Sequence, residues 1–73
     1  MKDYHINVFW REEDDSYVAD IPDLEYCSAF GDTPQEAVEQ VLIAKDLWIK
    51  SARADSKPVP PPRYRPAIYQ AAG

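Results

Sequence analysis

The chain has 73 residues, with 13 Asp and Glu against 8 Lys and Arg, a formal net charge of −5, seven prolines and two glycines. That length holds a single domain, residues 1–73, which buries only about 60% of the surface its unfolded form exposes, so a homodimer or higher homo-oligomer is the expected supplement to a thin core. The acidic balance speaks against a nucleic-acid backbone as main ligand and suits a basic partner protein. One cysteine, Cys27, and one histidine, His5, exclude an intramolecular disulfide framework and a Cys/His zinc centre.

The N-terminus runs straight into alternating residues without an apolar leader, and no stretch approaches the roughly 18 apolar residues of a membrane span. A soluble, unexported protein of the reducing cytoplasm is expected. Residues 4–11 read as the first strand, with Tyr4, Ile6, Val8 and Trp10 on one face and His5, Asn7 and Phe9 on the other. The acidic run Glu12-Glu13-Asp14-Asp15-Ser16 is a turn, after which Tyr17, Ala19 and Ile21 alternate with Val18 and Asp20 in a second strand, 17–22. Pro22 ends that strand because it has no ladder N–H, and a short third strand covers 27–30.

Thr33-Pro34-Gln35-Glu36 places Thr at an N-cap, Pro at the first helical position and Glu three residues after the Thr, the pattern of a capping box. The helix it opens is predicted over 34–54, with Ala37, Val38, Val41, Leu42, Ala44, Trp48, Ile49 and Ala52 in one broad stripe that covers the sheet. Lys45 lies inside that stripe and is expected to run its stem along the apolar surface with its ammonium in water. The opposite side carries Glu36, Glu39, Asp46 and Lys50, and also Ile43 and Leu47, two aliphatics four apart that mark a partner or oligomer contact. Residues 58–62, Pro-Val-Pro-Pro-Pro, form an extended spacer. An edge strand over 64–70 is expected to follow, and 71–73 to fray.

Three chemical readings present themselves, and each has a plainer counterpart. The carboxylates Glu12, Glu13, Asp14, Asp15, Asp20, Asp23 and Asp32 invite a magnesium-dependent nuclease, but four of them are consecutive on a hairpin tip, where side chains splay outward and stay solvated. His5 and Cys27 could form a base and nucleophile, yet a thiol in a short apolar strand behaves as a small hydrophobe. Arg63 and Arg65 flank Tyr64, a thin version of the cation-and-aromatic surface that binds single-stranded nucleic acid. No metal, cofactor or catalytic residue is expected from these patterns, and the protein reads as a binding protein and not an enzyme.

The central block, Tyr17-Val18-Ala19-Asp20-Ile21-Pro22-Asp23-Leu24, then Cys27 to Ala37, then a helix and Pro60-Pro61-Pro62, resembles the HicB family of antitoxins over roughly residues 4–62. In that family a YxAxxPDLPGC stretch is followed by GDTxEEA opening the helix, and a proline run follows. The resemblance implies an α+β fold, a two-layer, partial ribonuclease-H-like β-β-β-α-β domain whose antiparallel sheet is covered by one long helix. It also implies a partner, a small basic mRNA-cleaving toxin of the HicA type, whose active site the antitoxin occludes. Many members add a C-terminal DNA-binding domain for which this chain has no room, so direct DNA binding is not expected. The sequence departs from the family pattern at Glu25-Tyr26, where Pro-Gly is usual, so the turn before Cys27 is expected to use a different geometry. It departs again at Asp55-Ser56-Lys57, where a glycine commonly ends the helix. The partner or oligomer interface is placed on Ile43, Leu47, Glu36 and Glu39 with the sheet edge. The alternative is a stand-alone oligomeric regulatory or adaptor module of the same fold with no toxin.

Overall fold

In the computed structural model, which describes residues 3–66, the alternating segments pair into an antiparallel sheet and the capped segment forms one long helix against it. The elements in chain order are β1 (Asn7–Arg11), β2 (Ser16–Asp20), β3 (Ser28–Gly31) and α1 (Pro34–Ala54), and β2 is the central strand of the three. The α+β class and the helix bounds match the sequence reading. The strands are shorter than predicted at the end nearest Pro22: β1 starts at Asn7, opposite Asp20, and not at Tyr4. Continuing that register would set Pro22, which has no N–H to donate, opposite His5. Residues 64–66, the start of the predicted edge strand, are not in a strand, and 67–70 lie outside the described residues.

The hairpin between β1 and β2 closes through a single 3-10 turn, Glu12–Asp14, ended by Asp15 with φ 49 and an Asp15 N–H to Glu12 O bond of 3.1 Å. The helix starts as expected, with Thr33 Oγ1 accepting the Glu36 N–H at 3.1 Å. It ends in a Schellman arrangement, in which the Ser56 N–H reaches Arg53 O at 3.1 Å and the Lys57 N–H reaches Ala52 O at 2.8 Å. The residue that takes the left-handed conformation this ending requires is Ser56, at φ 57. A serine thus fills the conformational role that glycine takes in the family pattern.

The core lies between α1 and the face of the sheet that carries Ala19. Ala19, Ile21, Leu24, Cys27, Ala37 and Val41 are buried together, with Tyr4, Ile6, Tyr17, Ala29, Ala44 and Trp48 packed around them. Small side chains at 19, 29 and 37 let the helix approach closely. Gly31 completes that approach, because a Cβ there would meet Ala37 N at 2.5 Å and the Glu36 carbonyl carbon at 2.8 Å. Its φ is not positive, so the glycine is needed for space and not for backbone freedom. The helix lies over β3 and β2 and touches β1 least, which leaves Val8 and Trp10 partly open at the rim, with Trp10 edge-on to Tyr17 at 5.1 Å.

On the opposite face of the sheet the register aligns Phe9, Val18 and Phe30 across all three strands. Val18 is only 4% exposed, while its cross-strand neighbours Phe9 and Phe30 are both exposed. No helix among the described residues is long and apolar enough to cross a membrane.

Candidate functional site

The residues picked out on the outer side of the helix do share one face. At 100° per residue Glu36, Glu39, Ile43 and Leu47 fall within a quarter turn of each other, and all four are exposed, Ile43 at 55% and Leu47 at 62%. Glu36 sits in the first helical turn, where its carboxylate complements the exposed N–H groups. The result is an apolar pair bordered by acids on a helix whose other side already builds the core.

Leu47 also opens onto a feature the sequence did not reveal. An open groove of about 820 Å³ runs along the flank of α1, past Ala44, Trp48 and Ala52, which recur at i, i+4 and i+8. Its far wall is the loop from Asp23 to Cys27, and its lower end is closed by Asp55, Lys57, Pro58 and Pro60. Trp48 holds the two walls together, its Nε1–H donating to Glu25 O at 2.9 Å. The proline wall is fixed from two sides: Tyr4 Oη donates to Pro60 O, and the Asp23 carboxylate accepts the N–H groups of Arg63 (3.1 Å) and Tyr64 (3.0 Å).

Tyr26 stands at the mouth of this groove, 94% exposed. The turn that carries it is closed by the Cys27 N–H to Leu24 O at 3.1 Å, and only its third residue, Tyr26, has a positive φ, 62. That is the type II pattern, which ordinarily has glycine in this place. The expectation of a different geometry for Glu25-Tyr26 is therefore corrected: the glycine conformation is kept and a tyrosine adopts it. The departure from Pro-Gly was visible in the sequence and was the signal that could have located the groove.

The other candidates go elsewhere. Glu12 to Asp15 are exposed on the hairpin tip, and Arg11 Nε pairs with Glu13 at 3.2 Å and Asp14 at 3.0 Å. Among the described residues no three His, Cys, Asp or Glu side chains converge as metal ligands would. His5 Nε2 is engaged with Asn7 Oδ1 at 2.7 Å and its ring lies 4.9 Å from that of Tyr64. Cys27 is instead part of the core, where burial pushes its thiol pKa up and makes it a poorer nucleophile. The stem of Lys45 is covered as expected, but its ammonium reaches the Asp3 carboxylate at 3.4 Å instead of standing alone in water. The Asp3 carboxyl is held below its ordinary value, first by the Tyr4 N–H it accepts at 2.7 Å and then by Lys45.

Comparison with known proteins gives two relatives. Forty-four residues are 41% identical to the UPF0150 protein ssl0259 of Synechocystis sp., covering 60% of each chain. Fifty residues are 40% identical to the UPF0150 protein ssr1765 of the same organism, covering 68% of this chain and 63% of the relative. No family model and no solved structure matches significantly. The chain spans about three fifths of the length of the curated relatives it matches, and it is similar to UPF0150 proteins over that span.

Proposed function

We propose that this protein is an antitoxin-like binding protein of the HicB type, with no catalytic activity of its own, that neutralises a small basic mRNA-cleaving toxin of the HicA type by covering its active site. The observation that carries this reading is the outward face of α1, where Ile43 and Leu47 stand exposed between Glu36, Glu39 and Asp46. Apolar side chains ringed by charges are what a protein interface uses, the former for adhesion and the latter for register and encounter. The net charge of −5 speeds encounter with a cationic partner. The expected setting is the cytoplasm.

The test is an affinity pull-down from native cells at moderate salt with identification of the bound proteins, followed by an RNA-cleavage assay on what is recovered. A small basic protein in stoichiometric amount, whose RNA cleavage stops when one equivalent of this protein is added, is the expected result. The Ile43→Glu, Leu47→Glu double variant should fold normally and lose that inhibition. Recovery of no such protein overturns the reading.

The row Phe9, Val18 and Phe30 favours a second reading, a stand-alone oligomeric module, because an apolar strip with exposed phenylalanines on the sheet face turned away from α1 is a natural self-contact. A Phe9→Ser, Phe30→Ser variant that sediments as a monomer where the parent is a dimer supports it. Unchanged sedimentation removes it.

A further inference from the structure

The groove beside Tyr26 combines three features. Its mouth is an aromatic ring in a conformation that disfavours bulky side chains, and 94% exposure shows that the ring packs against almost nothing. Its floor is apolar, formed by Ala44 and the face of Trp48. Its rim carries three carboxylates, Asp23, Glu25 and Asp55, against the single ammonium of Lys57. Glycine would relieve the backbone at position 26, and a bulky ring that carries this strain while packing against almost nothing points to a use outside the fold.

We infer that this groove binds one arginine side chain presented on an exposed basic segment of a partner protein. The aliphatic stem of the arginine lies along Ala44 and Trp48, its guanidinium faces the Tyr26 ring, and the carboxylates of Glu25 and Asp55 accept its N–H groups. Charge complementarity selects a cation over an acidic or neutral occupant. The pairing of aromatic faces with carboxylates selects the planar, forked guanidinium over the compact, strongly hydrated lysine ammonium. This deepens the proposed function by naming the partner's chemistry, but the groove can be tested with a peptide alone, so its failure is separable from failure of the toxin reading.

The experiment is an NMR titration of the full chain with the blocked tripeptide acetyl-Leu-Arg-Leu-amide, following the Trp48 indole N–H and the Tyr26 ring, with the Lys and Gln counterparts as controls. Saturable shifts at both residues are expected with the Arg peptide, weakening as salt is raised, at least fivefold weaker with Lys and absent with Gln. Tyr26→Gly, which relieves the backbone and so folds, should weaken Arg-peptide binding at least tenfold, as should the pair Glu25→Gln, Asp55→Asn. Equal binding of the Lys or Gln peptide, no saturable shift, or full affinity in Tyr26→Gly overturns the site. So does a Trp48 resonance that depends on protein concentration, which would mean that a second copy fills the groove.

Discussion

At the downstream end of β3 stands a glycine with a backbone any residue could adopt, and at the upstream end stands a tyrosine with a backbone that suits glycine. Gly31 is fixed by crowding, since the first turn of α1 occupies the place of any Cβ. Tyr26 faces open solvent and its constraint is entirely torsional. The two positions separate what glycine supplies to a fold into its parts, room in one place and left-handed torsion in the other. They also show that the torsional part can be overridden where a side chain has a use, as at Tyr26, or where a helix must stop without a glycine, as at Ser56.

The sharpest way to break this contrast is Gly31→Ala. The added Cβ meets backbone, which cannot swing aside as a side chain would, so a loss of roughly 2–3 kcal/mol is expected in urea denaturation. A neutral result would mean that the helix start is loosely held. Thr33→Ala tests that same end by removing the acceptor for the Glu36 N–H, and should cost about 1 kcal/mol. At the other end the sign reverses: Tyr26→Gly should stabilise by roughly 0.5–1 kcal/mol, because relief of the left-handed strain exceeds the extra entropy of the unfolded chain, and Ser56→Gly should do likewise. Tyr26→Ala, which keeps the strained torsion, should leave stability near that of the parent. A Tyr26→Ala variant as stable as Tyr26→Gly would place the cost in the ring and not in the torsion.

Titration gives the smallest effects. Burial raises the Cys27 thiol above its ordinary value of 9.0, so the folded state holds its proton more tightly than the unfolded one. The stability this represents is complete below the unfolded pKa and is lost as pH rises through the folded one. Urea midpoints should therefore fall slightly above pH 9, and the fall should shrink in Cys27→Ala. Asp3 works in the other direction: its folded pKa is lowered, so its contribution is present above the ordinary carboxyl value of 3.8 and fades as pH drops through the folded value. Because Asp3 is half exposed, Asp3→Asn should change the midpoint only marginally at neutral pH.

The helix was legible to the residue, from Pro34 to Ala54, because Thr33-Pro34-Gln35-Glu36 opens it with a local code and no glycine or proline interrupts it after Pro34. Ile43 and Leu47 were legible as outward-facing because 3.6-residue periodicity fixes which side faces the sheet. Strand bounds were not, because Tyr4 and Ile6 continue the alternation of β1 while their partners across the ladder do not continue with them. The row Phe9, Val18 and Phe30 depends on register, which alternation alone does not specify. The groove was hidden for a deeper reason. It joins a loop at 23–27 to a helix flank at 44–52 and a proline segment at 57–60, and no periodicity links segments so far apart in sequence.

Every strand in the sheet pairs with its neighbour in sequence, and the helix packs back on the strands just before it, so the body of the protein assembles from short loops and should fold quickly. The bonds that hold the proline segment are of another kind: Tyr4 to Pro60 spans 56 residues, and Asp23 to Arg63 and Tyr64 spans 40 and 41. They close loops of 40 to 56 residues and should form late, as a latch on a body already made. A latch of a few surface hydrogen bonds also opens first, by excursions far cheaper than global unfolding, so the amides of Arg63 and Tyr64 should exchange with solvent well before those of Val41 and its helical neighbours. One wall of the groove, carrying Pro58 and Pro60, then runs on a faster clock than the other, and a bound segment would slow it.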